Sequence, residues 1–415
     1  MSEARGYPYW KLSGFYFAYF AVLGAMVPFW SLFLQDRGYS LTEIALLTAI
    51  PMATRIVAPN LWGWIADHRR RRMPVVQLGN LAAIAVFSGV WFVDSFAGMA
   101  LVMAGYSFFW NAVLPQFEVI TLNHLGARIA EYSRVRLWGS IGFILAVLGL
   151  GAVFDRISVS WLPAFMLVLM IAMWLVSRAT VETDAPPSHR GQAGGFAQLL
   201  RHPVVWAMLL ACLLINFSHG PYYTYFSIYL EQRGWTRLGI GGLWALGVIA
   251  EVLVFIVMHR LLQRAGALPV LAGAAAGVIL RWLLLAFLPD FLPALLLSQA
   301  LHAVTFGFLH AATIHFSHLL FTGASQGRGQ ALFSSTIYGV GGASGALVAG
   351  LLWPVYGAQV AFVAMSVTGV VALAIILLLA RHPLLQEPRL QEPRLQEPRL
   401  QEPRLQEPRL QEPPP

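Results

Sequence analysis

Residues 10–34 read WKLSGFYFAYFAVLGAMVPFWSLFL, a run whose only charge, Lys11, stands at its leading edge. An α-helix needs about 20 mostly apolar residues to cross a bilayer, and this run meets that length. It is longer than the hydrophobic core of a secretory signal, roughly 7–15 residues, and shows no small-residue cleavage pattern. Trp10–Leu34 is therefore read as a first spanning helix.

The pattern repeats along the chain. Apolar runs follow at Leu41–Ala66, Pro74–Val93, Phe96–Leu122, Leu137–Phe154, Trp161–Ser177, Val204–Leu230, Gly239–His259, Leu268–Leu288, Leu292–Phe321, Ala331–Pro354 and Gln359–Ala380. Lipid leaves no partner for an unpaired backbone group, so such runs must be helices. Barrel strands would be alternating segments of about ten residues, shorter and less uniformly apolar than these. Composition agrees. Of 415 residues 58% are hydrophobic and 11% charged, with mean hydropathy +0.66. A soluble domain carries about 25% charged residues and has too little interior to hide so much apolar surface. The single cysteine, Cys212, excludes a disulfide framework within the chain and reads as a small buried hydrophobe.

The net charge of +8 raises nucleic acid as a partner, and the placement of the charges removes it. With the N-terminus in the cytoplasm, one side holds Arg5, Lys11, Arg69, Arg70, Arg71, Arg72, Arg128, Arg134, Arg136, Arg178, Arg190, Arg201, Arg260, Arg264, Arg328 and Arg381. The other side holds Arg37, Arg156, Arg233 and Arg237. The positive-inside rule then puts both termini in the cytoplasm. A multi-pass, monomeric protein of the plasma membrane, the bacterial inner membrane, is expected.

One long polar break, 180–203, contains Pro186, Pro187, Gly191, Gly194 and Gly195 and divides the spans six and six. The expected organisation is an N-terminal bundle at 1–179, a cytoplasmic linker at 180–203, a C-terminal bundle at 204–382 and a tail at 383–415. In the tail Leu-Gln-Glu-Pro-Arg repeats from Leu385. Proline at every fifth position forbids a continuous helix, and one leucine per unit cannot build a core, so disorder is expected.

The residues that carry chemistry are few. Charges inside spans are costly in lipid and mark cavities or partners. Arg55, Glu118, Glu251 and Arg281 stand well inside apolar runs, and Arg136 opens the fifth. The loop after the second span reads Gly63-Trp64-Ile65-Ala66-Asp67-His68-Arg69-Arg70-Arg71-Arg72. It resembles the loop signature of the major facilitator superfamily, with His68 and Arg70 as departures. By that resemblance Gly63, Asp67 and Arg71 form a gating loop. Gly63 would allow a close helix approach, and Asp67 would pair with cations or cap a helix N-terminus.

Tyr132-Ser133-Arg134-Val135-Arg136-Leu137-Trp138-Gly139-Ser140 resembles the fifth-helix motif of the phenylpropionate permease family, a branch of that superfamily. Pro28-Phe29-Trp30-Ser31, Leu243–Val252 and Arg281-Trp282 resemble the family as well. The resemblance implies an all-α integral membrane protein of the major facilitator fold, with twelve transmembrane helices in two six-helix bundles. The family is similar to lactose permease, whose fourth-helix carboxylate and fifth-helix arginine bind sugar. Glu118 and Arg136 match that pair at the same interval (136 − 118 = 18), and Arg136-Leu137-Trp138-Gly139 matches its Arg-x-x-Gly. Glu251, Arg281 and His302 match the glutamate, arginine and histidine of the C-terminal half. Thr305 and Gln299 stand where that permease has a glutamate and a lysine. The resemblance thus implies substrate binding by Glu118, Arg136, Arg55 and Trp138, and proton coupling by Glu251, Arg281 and His302. The proton route would run without a carboxylate at 305.

The expected function is a proton-coupled symporter of a small organic acid such as phenylpropionate, with no cofactor. An aromatic cavity holding one arginine suits an aromatic carboxylate, which a guanidinium grips through two parallel hydrogen bonds. A sugar or nucleoside symporter is the alternative, and an exporter of drugs or metabolites a further one. A membrane enzyme would need a metal cluster, or a nucleophile beside a base, and the sequence offers neither. His315 and His318 lie one turn apart but with no Cys or Asp nearby, so no metal is expected.

Overall fold

A computed structural model of the chain describes residues 7–69, 71–183, 196–321 and 325–385. These residues are overwhelmingly helical, and none of them lies in a strand. Ten continuous helical stretches are long and apolar enough to cross a membrane. Two of them hold two spans each. Phe96–Phe154 comprises helices Phe96–Leu125 and Tyr132–Phe154, joined by a 3-10 turn, and Gln326–Leu379 reverses at Gly357, where φ is 79°. The twelve expected spans are all found among the described residues. Of the linker, residues 184–195 lie outside the described residues, as do residues 386–415 of the tail.

Two spans are broken where the sequence alone showed continuous runs. The second divides into Leu41–Thr54 and Ala58–Arg69. Pro59 has no N–H to donate to the carbonyl of Arg55, four residues back, and the helix cannot pass through. The seventh divides into Pro203–Phe217 and Gly220–Glu231 for the same reason, with Pro221 and Phe217. The tenth and eleventh each contain a wide π turn, Ala303–Phe308 and Ser335–Gly341.

The chain shows an internal repeat of 196 residues. Between spans 1 and 2 it reads Arg37-Gly38-Tyr39-Ser40, and between spans 7 and 8 Arg233-Gly234-Trp235-Thr236 (233 − 37 = 196). In both turns the glycine has positive φ, 83° and 80°, which only glycine adopts at little cost. In both, the hydroxyl residue caps the next helix, accepting from Glu43 N and from Gly239 N. The two arginines pair with aspartates at the same offset, Arg37 with Asp94 at 2.8 Å and Arg233 with Asp290 at 3.1 Å.

Each half is packed internally through aromatic and aliphatic side chains, such as Phe15 stacked on Phe117 with ring centres 3.5 Å apart. The outer surface is apolar: Phe92 and Leu378 are each 84% exposed. Only a lipid environment covers such a surface. Hydrogen bonds between the halves fall in two places. One is the far end, opposite the end that bears Tyr9 and Leu379, where Tyr225 OH donates to Leu41 O at 2.6 Å and Arg237 reaches span 5. The other is the break in span 2, where Asn60 donates to Ser335 Oγ at 3.3 Å. These bonds hold the halves together at the far end and beside the break in span 2.

Candidate functional site

Arg136 lies in the first turns of the fifth span, half-buried, with its guanidinium 3.8 Å from the ring centre of Phe20 and 5.9 Å from that of Tyr16. Gly139 makes this possible. A Cβ there would stand 2.6 Å from Arg136 Nη1 and 2.7 Å from Phe20 Cδ2. The Arg-x-x-Gly spacing therefore has a steric meaning: the missing side chain, one turn on, leaves the slot in which the guanidinium stacks.

Glu118, on the fourth span, is within the field of Arg136 but makes no ion pair with it. Its contact is Tyr132 OH, which donates to Oε1 at 3.4 Å. The partner expected for Arg136 is thus a neighbour rather than a clasp, and both groups keep hydrogen-bonding capacity free. Across the space between the halves, the charge of Arg136 acts on Glu251 and on His310, whose Nδ1 lies 3.0 Å from Tyr338 OH. Arg55, exposed at the break in span 2, acts on Tyr19 of its own half and on Tyr223 and Tyr338 of the other. The fields of Arg136 and Arg55 thus reach groups of both halves, Glu118 and Tyr19 in one and Glu251, His310, Tyr223 and Tyr338 in the other. Tyr19 is itself stacked on Trp110 at 4.4 Å.

Trp138 is not brought there. Its indole N–H donates to Tyr9 OH at 2.9 Å and its ring meets Trp10 at 5.5 Å, at the end of span 1. Two residues of α-helix turn through about 200°, so Trp138 and Arg136 project from opposite faces. The expectation that both line one site is corrected by that geometry.

The second cluster is sealed. Arg281, 0% exposed, donates through Nη1 to His302 Nδ1 at 3.0 Å and to Thr305 Oγ1 at 3.1 Å. Its guanidinium lies between Tyr222, at 4.2 Å, and Trp282, at 4.6 Å. Nε and Nη2 have no hydrogen-bond partner. Arginine only donates, so His302 Nδ1 must accept and the ring proton sits on Nε2. That nitrogen faces Glu251 Oε2 at 3.8 Å, too far for a hydrogen bond as it stands. Thr305, where the lactose permease pattern has a glutamate, joins Arg281 to His219 Nε2 at 3.1 Å, while His219 Nδ1 bonds Ile215 O at 2.9 Å. Gln299, at the lysine position, accepts from Tyr222 OH at 2.9 Å. Sequence reasoning missed His219. The signal for it was Pro221, which breaks span 7 and leaves His219 in the gap.

In the loop after span 2, Asp67 pairs with Arg72, which also donates to Gln116. Of the two roles expected of Asp67 the pairing with a cation is the one seen, while the start of span 3 is capped by Glu182, which accepts from Arg72 N at 2.6 Å and Met73 N at 2.9 Å. Gly63 carries no tight approach: a Cβ there would meet Gln116 Nε2 at an ordinary 3.7 Å. Arg71 is exposed.

The sequence profile of the MFS_1 like family matches residues 9–364, from the first span into the twelfth. The chain belongs to the MFS_1 like family. It is accordingly a major facilitator transporter rather than an enzyme, and the expected kinship with the phenylpropionate permease branch is borne out. A probable 3-phenylpropionic acid transporter of Escherichia coli (strain K12) is 28% identical over 349 residues, covering 82% of this chain and 90% of that protein. The maltose permease of Geobacillus stearothermophilus is 27% identical over 375 residues, covering 89% and 93%. The crystal structure of the nucleoside transporter NupG superposes with a TM-score of 0.80 at 17% identity, covering 90% of this chain and 99% of that one, which establishes the fold.

Proposed function

We propose that this transporter carries a small organic acid together with a proton, by alternating access of the space between its halves. One observation carries the reading. Arg136 is stacked, half-buried and without a carboxylate clasp, and its charge reaches Glu251 in the other half. A substrate carboxylate takes the open guanidinium through two parallel hydrogen bonds. Glu118 and Arg55 complete the binding shell, and the tyrosines offer ring faces to an apolar or aromatic body. Glu251 is the proton carrier, read through His302 Nε2 by the Arg281 cluster, while Asp67 and Arg72 steady the gating loop.

The E. coli relative, named for phenylpropionic acid, supports the acid class. The relative named for maltose keeps a sugar as the second reading, since the Glu118–Arg136 pair also suits hydroxyl groups. The arginine distribution supports cytoplasmic termini in a bacterial inner membrane, so the space would open inwards here and the far end would face outwards. The two halves act as the moving bodies, with the chain around 180–203 as their link, and the monomer is the working unit.

The test is uptake by purified protein in liposomes. Labelled 3-phenylpropionate, maltose and a nucleoside are offered with and without an inwardly directed proton gradient. Gradient-dependent accumulation of the acid alone supports the proposal. Accumulation of maltose or the nucleoside alone sinks the acid assignment, and uptake indifferent to the gradient sinks the coupling.

A further inference from the structure

The far end is closed along two seams that the 196-residue repeat relates, yet the seams are built differently. At the seam of spans 2 and 11, the N-terminus of span 2 is capped by its own residues. Ser40 accepts from Glu43 N, and Glu43 accepts from Ser40 N at 2.9 Å. Thr42 Oγ1 crosses that seam to Gly350 O at 3.3 Å, and Tyr225 OH of span 7 reaches Leu41 O beside it at 2.6 Å, both ending on neutral carbonyls.

At the seam of spans 5 and 8 the residue equivalent to Glu43 is Gly239 (239 − 43 = 196), and the first turn of span 8 holds no acid. The acid comes from the other half. Asp155, at the end of span 5, accepts from Arg237 N at 2.6 Å and Leu238 N at 3.1 Å. Arg237 in return donates from Nη1 to Phe154 O at 2.9 Å, held in place by Glu231 at 3.0 Å. At the end of span 11, where the chain reads Trp353-Pro354-Val355-Tyr356 before it reverses at Gly357, no acid stands, so the other seam lacks the device.

A helix N-terminus carries partial positive charge and orphan N–H groups, and a C-terminus partial negative charge and orphan carbonyls. Here each helix end is completed by a charged residue of the opposite half. The fit depends on backbone proximity: a Cβ at Gly151 would stand 2.7 Å from Arg237 O, and one at Gly241 would meet Val147 O. Opening the far end separates all of these groups at once and returns two N–H groups, a carbonyl and two charges to water.

We propose that Asp155 and Arg237 form a reciprocal clamp that holds the far end shut and sets the balance between the form described above and one open at that end. The proposal rests on alternating access but not on the identity of the substrate or on proton coupling.

The test uses the full chain, purified in detergent, with Cys212→Ser and Ala45→Cys. Ala45 is 1% exposed and packs against Gly350 across the other seam, so maleimide labelling at position 45 reports opening of the far end. Asp155→Ala is expected to raise the labelling rate about five- to tenfold, and Arg237→Ala by about half as much, at unchanged melting temperature. Arg156→Ala, beside the clamp but outside it, is expected to stay within about twofold of the parent. Labelling at the parent rate in both clamp variants overturns the clamp. If position 45 labels in detergent-unfolded protein but in no folded variant, the far end does not open and alternating access fails with it.

Discussion

Arg136 and Arg281 are both arginines on spanning helices, both stacked on aromatic rings, and the sequence gives them equal weight. Their surroundings differ in kind. Arg136 is half-buried, lies on one ring of Phe20, and has its nearby carboxylates, Glu118 and Glu251, at a distance. Arg281 has no exposure, lies between two rings, and gives its hydrogen bonds to a histidine and a threonine. The first arrangement is unfinished in the way a binding site must be, because a partner is still to be supplied. The second is closed to any solute in this conformation, and three of its donors stay unmatched inside the protein. A buried charge without a counter-ion costs several kcal/mol, a cost that the two flanking rings and the two hydrogen bonds must offset. Under the proposed function, recognition falls to the N-terminal half and the response to protonation to the C-terminal half.

The contrast is most exposed at Glu251, where the two clusters meet. Glu251→Gln fixes the uncharged state, so accumulation driven by a proton gradient should vanish while exchange of substrate across the liposome membrane continues. Accumulation at the parent level would take Glu251 out of the coupling step. Next is Arg281→Ala, which leaves a cavity and orphans His302 Nδ1 and Thr305. A loss of about 3 kcal/mol or more is expected, read as a lowered melting temperature in detergent. A melting temperature that rises instead would mean that relief of the unpaired charge outweighs packing, and the cluster would then be strained rather than stabilising. Arg136→Lys keeps charge but loses the planar fork, and about a tenfold weaker apparent affinity is expected at unchanged melting temperature. Normal affinity would move the substrate site elsewhere. Trp138→Phe tests the geometry of the fifth span: with its indole on Tyr9, it should change affinity by less than about twofold. Deletion of residues 386–415 should have the smallest effect, leaving insertion and transport rates near those of the full chain, since its repeats cannot bury a core.

Much of the fold was legible because lipid imposes length and polarity on every span, and the twelve runs announce themselves. The arginines and Glu118, Glu251 and His302 were legible because charge and polarity inside such runs are rare. Less legible was which way each side chain points. Trp138 sits in the same motif as Arg136, but a helix places residues two apart on opposite faces, and a motif written as a string hides that. The breaks at Arg55–Val57 and Ser218–His219 follow from Pro59 and Pro221, four residues downstream of the carbonyls they abandon. Proline is tolerated in other spans, at Pro28 and Pro115, so its presence alone did not predict a break. The cap on span 3 is made by Glu182, a contact across 110 residues of sequence that no local pattern encodes.

The repeated Arg–Gly–aromatic–hydroxyl turn bears on the order in which the molecule is made. Each copy joins two spans adjacent in sequence, and its ion pair closes within 57 residues, Arg37 to Asp94 and Arg233 to Asp290. Contacts that close short loops cost little entropy and form early, as soon as the spans concerned have left the ribosome and entered the bilayer. The bonds between Asp155 and span 8 belong to a later stage, since they need one half to be waiting when the other arrives. The first hairpin, with its own glycine and its reciprocal Ser40–Glu43 cap, needs no partner at the start of span 2, whereas the second leaves two N–H groups for Asp155, which is already in place when span 8 arrives.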